Sequence, residues 1–158
     1  MLNPLVDTRD IKFVLFEVLE VDKLTSFPVF EDFDKDTFDA TIDLAEQIAV
    51  DIFYPTAEEG DNIGAQWDPA TKEVKIPACF HPALDTYYES GFMGIADEPE
   101  HGGMGMPSTI STAVMEFACA SNYSLGMYPG LSHGAMELIY EFGTEEQKHK
   151  YGDKIMSG

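Results

Sequence analysis

Residues 91–143 read GFMGIADEPEHGGMGMPSTISTAVMEFACASNYSLGMYPGLSHGAMELIYEFG, and the rest of the chain must pack around them. Ile110, Val114, Phe117 and Ala118 repeat on one helical side, and Met115 and Cys119 on another. An element apolar on two faces is a central, buried one, so a helix is predicted over about 108–122. A second is predicted from near Leu131 to Phe142, with Gly143 as its C-cap. Between them stands Gly126-Met127-Tyr128-Pro129-Gly130, residues that do not continue a helix. A backbone break beside a buried pair leaves either an ordinary connection or a groove. In a groove, Met127 and Tyr128 offer flexible and flat apolar surface.

The flanking sequence supplies further helices. Asp7 or Thr8 caps a first one, with Ile11, Leu15 and Val18 as its stripe, broadened by Phe13 and Phe16, fading near Val21. Asp34 or Asp36 opens a second, in which Phe38, Ile42, Ala45, Ala49 and Ile52 follow spacings of 4, 3, 4 and 3 before Pro55. Residues 56–76 are polar and punctuated; Trp67 and Glu73-Val74-Lys75-Ile76 offer a brief extended piece, but a lone strand has no partner, so this stretch reads as a loop. A third helix is expected over 77–90, with Phe80, Leu84, Tyr87 and Tyr88 inward. A last one is expected over 144–156, opened by the capping box Thr144/Gln147. The expectation is an all-α fold of about six helices, antiparallel neighbours in an orthogonal or up-down bundle around one core.

Composition narrows the partners. The 158 residues carry 29 acids against 9 bases, a formal net charge of −20. Such a surface repels nucleic-acid phosphates and anionic lipid over a Debye length of roughly 8 Å, and binds an anionic cofactor poorly by itself. The apolar patch around 11–19 is interrupted by Lys12 and Glu17 and is too short for a membrane span. The N-terminus lacks a basic region followed by a long apolar run, so no secretory signal is read. Cys79 and Cys119 show no metal-ligand or redox spacing, which suits a reducing, cytoplasmic setting.

Several motifs invite chemistry and fail on context. Gly130-Leu-Ser-His-Gly134 matches a nucleophile elbow, but no strand precedes it and the order of acid and His downstream is wrong. Glu146-x-x-His149 has di-iron spacing, but the other such pair, Glu98 and His101, lies in a Pro/Gly-broken loop. His133 and Glu137 stand one helical turn apart, and two ligands do not make a metal site. Gly102-Gly103-Met104-Gly105 lacks the Lys-Ser/Thr ending of a phosphate loop and reads as a tight turn. No catalytic, cofactor-binding or metal-binding residue is assigned.

Three spaced motifs, in order, carry a family resemblance. Residues 91–105, GFMGIADEPEHGGMG, resemble the G…G…PEEYGGxG turn of the acyl-CoA dehydrogenase N-terminal domain, with His101 where Tyr is common. The helix at 108–122 and Gly130-Leu-Ser-His-Gly134 follow. Then Gly143-Thr-Glu-Glu-Gln-Lys-His-Lys-Tyr151 resembles the family's GTEEQKxKYL. Residues 3–19 are similar to the N-terminal extension of a subgroup that includes 3-methylmercaptopropionyl-CoA dehydrogenases. The resemblance implies a helical extension at 1–30 and the family's helical N-terminal domain at 31–158.

It also implies an FAD enzyme that desaturates an acyl-CoA thioester by removing a proton from one carbon and passing a hydride from its neighbour to the flavin. The catalytic glutamate and main flavin site then belong to the family's other domains, which are expected outside this chain. The chain alone is expected to be inactive and to form one wall of the acyl pocket. On the resemblance, substrate contact falls to Met127, Tyr128 and Gly130, with Leu131 less central. The expected partners are acyl-CoA, the remaining domains of the same protein and, in a homo-oligomer, a second copy. A stand-alone helical interaction module is the competing reading.

Overall fold

The computed structural model describes residue 3 and residues 5–158. Asp7 accepts hydrogen bonds from the Arg9 and Asp10 amides and starts α1 (Thr8–Phe13). The helix then widens into a π-type turn, Val14–Val18. That wider turn shifts the phase of the stripe: Leu15 is buried, but Phe13 and Val18 are exposed, a departure from the expected helix of uniform pitch. Lys12 reaches across to Asp39 and Asp43, at 3.0 and 2.6 Å, and ties α1 to α2 (Lys35–Ile48).

Asp34 caps α2, accepting from the Thr37 amide at 2.7 Å. Phe38, Ile42, Ala45 and Ala49 are buried as the periodicity requires, and Ile52 packs half-buried against them. A π-type turn, Ala49–Phe53, and a short 3-10 turn, Tyr54–Thr56, carry the chain past Pro55.

The stretch read as a loop is structured. It holds α3 (Ala57–Ile63) and an antiparallel hairpin of β1 (Gln66–Asp68) and β2 (Glu73–Lys75), with Trp67 opposite Val74. The missing strand partner was Gln66-Trp67-Asp68, three residues that are too few to show alternation. Asp68 closes the turn by accepting from the Ala70 amide at 2.8 Å.

α4 (Phe80–Glu89) places Pro82 in its first turn, where no amide is needed, and buries Phe80, Leu84 and Tyr87. Apart from the small hairpin the fold is all-α, and it matches the expected class.

The central stretch departs from expectation in one instructive way. The helix α5 (Ser108–Phe142) does not break at 126–130; it runs through Pro129 and bends at Asn122, whose φ of −157° and ψ of 91° are extended rather than helical. Asn122 acts as an N-cap inside the element: its side-chain oxygen accepts from the Leu125 amide at 3.1 Å. Its Nδ2 donates to the Thr56 hydroxyl at 2.9 Å, which donates in turn to the Phe53 carbonyl at 2.7 Å.

The bend doubles the chain back. A methyl placed on Gly126 would lie 3.9 Å from the Ala118 Cβ, whereas eight residues of straight helix advance about 12 Å. The second arm therefore starts at Tyr123, not Leu131. Packing of Leu125, Pro129 and Met136, all buried, outweighs the poor helix propensity of its glycines and proline.

After α5, Thr144 and Gln147 form the expected capping box of α6 (Glu145–Gln147). A π-type turn, Lys148–Gly152, leads to α7 (Asp153–Met156). No helix among the described residues is long and apolar enough to cross a membrane.

Candidate functional site

The two arms of α5 and the Gly-rich turn before them enclose a cleft of about 320 Å³. Ser111, Thr112 and Met115 come from the first arm, and Pro129, Gly130, His133 and Glu137 from the second. Met93, Ile95 and Asp97 come from the turn. The turn is held by its own backbone: the Met104 amide donates to the Gly94 carbonyl at 2.8 Å, Gly105 to Asp97 at 2.9 Å and Met106 to Ile95 at 2.9 Å. With those amides spoken for, the glycines are not a phosphate cradle. A Cβ on Gly103 would fall 2.2 Å from the Asp97 carbonyl oxygen, so only glycine allows this close approach.

Tyr87 closes the floor, and burial pushes its hydroxyl up to about 12. Asp97 meets the second arm at its rim. His133 Nε2 lies 2.8 and 3.0 Å from the two Asp97 oxygens, and His133 Nδ1 lies 3.8 Å from Glu137. On the far side of Asp97 a broader groove of about 600 Å³ runs over His101, Tyr140 and Phe142. There His101 and Tyr140 stack with ring centroids 4.2 Å apart.

The four residues singled out in the sequence diverge in space. Gly130 lies on the cleft wall, and a Cβ there would meet no atom within 4 Å. Tyr128 sets its ring edge against Phe80, centroids 6.2 Å apart, on the core side of the arm. Met127 is half-buried. Leu131 is 74% exposed and aligned with Leu138 and Phe142, 62% and 79% exposed, at spacings of 7 and 4 along one helical face.

Asp97, which reaches His133 across 36 positions, carries no local signal of that pairing; only the glycines around it hint at a specific turn. Ser132 is exposed in mid-helix rather than on a strained strand-to-helix turn, which removes the hydrolase reading. His149 and Asp153, 3.1 Å apart, form an exposed pair on a solvated face. Both cysteines are free and half-buried, and burial raises both thiols above their ordinary pKa, which disfavours a thiolate.

The cleft does not fit a flavin dinucleotide by itself. Two carboxylates line it and, among the described residues, no Lys or Arg does, so a pyrophosphate finds no counter-charge there.

The fold is an all-α domain in which a bent central hairpin and a glycine-clamped turn leave an open cleft between them. Residues 54–158 match the family described as "Acyl-CoA dehydrogenase, N-terminal domain", and the chain belongs to that family. It is 34% identical over 145 residues to the broad-specificity linear acyl-CoA dehydrogenase FadE5 of Mycobacterium tuberculosis, covering 90% of this chain and 23% of that protein. It is 25% identical over 150 residues to the 3-methylmercaptopropionyl-CoA dehydrogenase of Ruegeria pomeroyi, covering 95% and 25%. A butyryl-CoA dehydrogenase of Syntrophomonas wolfei is 30% identical over 159 residues, covering 99% and 26%. The chain thus spans about a quarter of the length of the curated relatives it matches.

Proposed function

We propose that this chain is the N-terminal helical part of an FAD-dependent acyl-CoA dehydrogenase and forms one wall of its acyl pocket. In this reading residues 1–30 are a helical extension and 31–158 the helical domain. The observation that carries it is the cleft between the two arms of α5, open at Gly130, in a chain of this family. The relatives' printed names share an acyl-CoA thioester as the compound oxidised, and differ in the acyl group.

Gly130 takes the acyl chain along the cleft. Met127 extends apolar surface from the same arm, Leu131 stands on its outer face, and Tyr128 supports the wall from behind through Phe80. When bound, the flavin accepts the hydride; the residues that hold it, and the base that takes the proton, lie on the rest of the parent protein. The chain alone neither binds flavin nor turns over substrate. The acidic surface fits this division, because the CoA phosphates and the flavin pyrophosphate are then neutralised elsewhere. A cytoplasmic setting belongs to the same reading.

The exposed stripe Leu131, Leu138 and Phe142 supports a face covered by further polypeptide of the parent. The same stripe is the one observation that favours a stand-alone interaction module. Reading the source gene beyond codon 158 separates the two: a continuation resembling a flavin-binding β domain is expected. A flavin spectrum or dehydrogenase turnover from the purified chain alone contradicts the assignment of the chemistry to other domains.

A further inference from the structure

We propose that Asp97, His133 and Glu137 form a divalent transition-metal site, suited to zinc, that pins the Gly-rich turn to the second arm of α5. Sequence spacing offers only His133 and Glu137, one turn apart. The fold adds Asp97, and one donor atom from each residue lies within 4.8 Å of the others.

The donor set is one imidazole nitrogen and two carboxylate oxygens, which zinc binds at about 2.0–2.2 Å, so two donors on one tetrahedral ion sit roughly 3.3–3.5 Å apart. In the unliganded arrangement the two carboxylates face different ring nitrogens of His133, Asp97 at 2.8 Å from Nε2 and Glu137 at 3.8 Å from Nδ1. Binding a common ion therefore requires the 62% exposed Glu137 side chain to swing towards the Nε2 side, or the imidazole to turn, within a cluster whose donor atoms already lie within 4.8 Å of one another.

Both supports are hydrogen-bonded in place. The second arm is fixed by its cap at Asn122, and the Asp97 carbonyl is held by the Gly105 amide. All three residues also line the cleft, which leaves room for water as a fourth ligand. Among the described residues the other histidines lack this setting: His149 has one exposed carboxylate partner, His101 is stacked on Tyr140, and His81 is exposed. The site does not depend on the acyl-pocket reading and stands or falls separately.

The test is a zinc titration of the chelator-treated chain against a chromophoric competitor, with thermal unfolding as a second readout. One zinc per chain is expected, with Tm raised by about 5–10 °C at a hundredfold excess over Kd. His133→Ala and Glu137→Gln each weaken binding at least tenfold, and His149→Ala leaves it unchanged. Glu137 has a side chain 62% exposed, so its substitution leaves the fold intact and keeps the test readable. Absence of saturable binding below millimolar zinc overturns the site. So does wild-type affinity in both E137Q and H133A, or loss of binding in H149A.

Discussion

Asn122 does two jobs with one side chain: it caps the second arm of α5 and donates to a buried hydroxyl on the neighbouring Thr56. Removing it leaves the Leu125 amide and the Thr56 oxygen without those partners. Asn122→Ala is therefore expected to cost about 1–3 kcal/mol in urea unfolding; a change under about 0.5 kcal/mol contradicts the role given to this bend. Tyr87 gives a pH signature. Burial holds its hydroxyl near 12 in the folded chain, against about 10 in the unfolded one. The unfolded chain releases that proton first, so the contribution is fully present below pH 10 and is lost as pH rises towards 12. Unfolding midpoints of the chain and of Tyr87→Phe are expected to run parallel up to pH 10. Above it the wild-type midpoint falls more steeply.

At the scale of elements, two glycines predict opposite outcomes. Gly103 faces the Asp97 backbone at a distance no Cβ tolerates, and backbone cannot swing aside. Gly103→Ala is expected to destabilise by about 1–3 kcal/mol. Gly130 sits in helix with open space, so Gly130→Ala is expected to stabilise by about 0.5–1 kcal/mol through helix propensity alone. Calorimetry of the two variants reads both signs.

The same contrast explains what could be seen in the sequence. Caps were legible where they stand at a chain break: Asp34 before its apolar stripe, and Thr144 with Gln147. The bend was not, because a buried Asn inside an apolar run looks like any polar residue there, whereas Gly126, Pro129 and Gly130 look like a break. Their tertiary contacts decide otherwise. The β hairpin was hidden by the shortness of its strands, and the Asp97–His133 contact by its separation along the chain. Gly130 was named from the sequence and lies in the cleft. Leu131, named beside it, faces outward, because a one-residue step turns about 100° around a helix.

The whole molecule combines a net charge of −20 with an uncovered apolar stripe on its longest helix. Charge keeps copies apart, and the stripe draws them together at high salt, where the Debye length shortens. Sedimentation of the chain alone is expected to show association that grows with protein concentration and salt. The double variant Leu138→Glu, Phe142→Glu is expected to abolish it. A wild-type monomer under all conditions contradicts the reading of that face as one normally covered.

The larger claim is that the cleft beside Gly130 receives an acyl chain once the rest of the parent protein is present. Its most direct test is kcat/KM for acyl-CoA substrates of increasing chain length, measured in the full-length parent with Gly130→Leu beside the wild type. A leucine there fills the open wall. The variant is expected to keep its rate on the shortest substrates and to lose tenfold or more on the longer ones. A profile that shifts uniformly with chain length, or does not shift at all, contradicts the account.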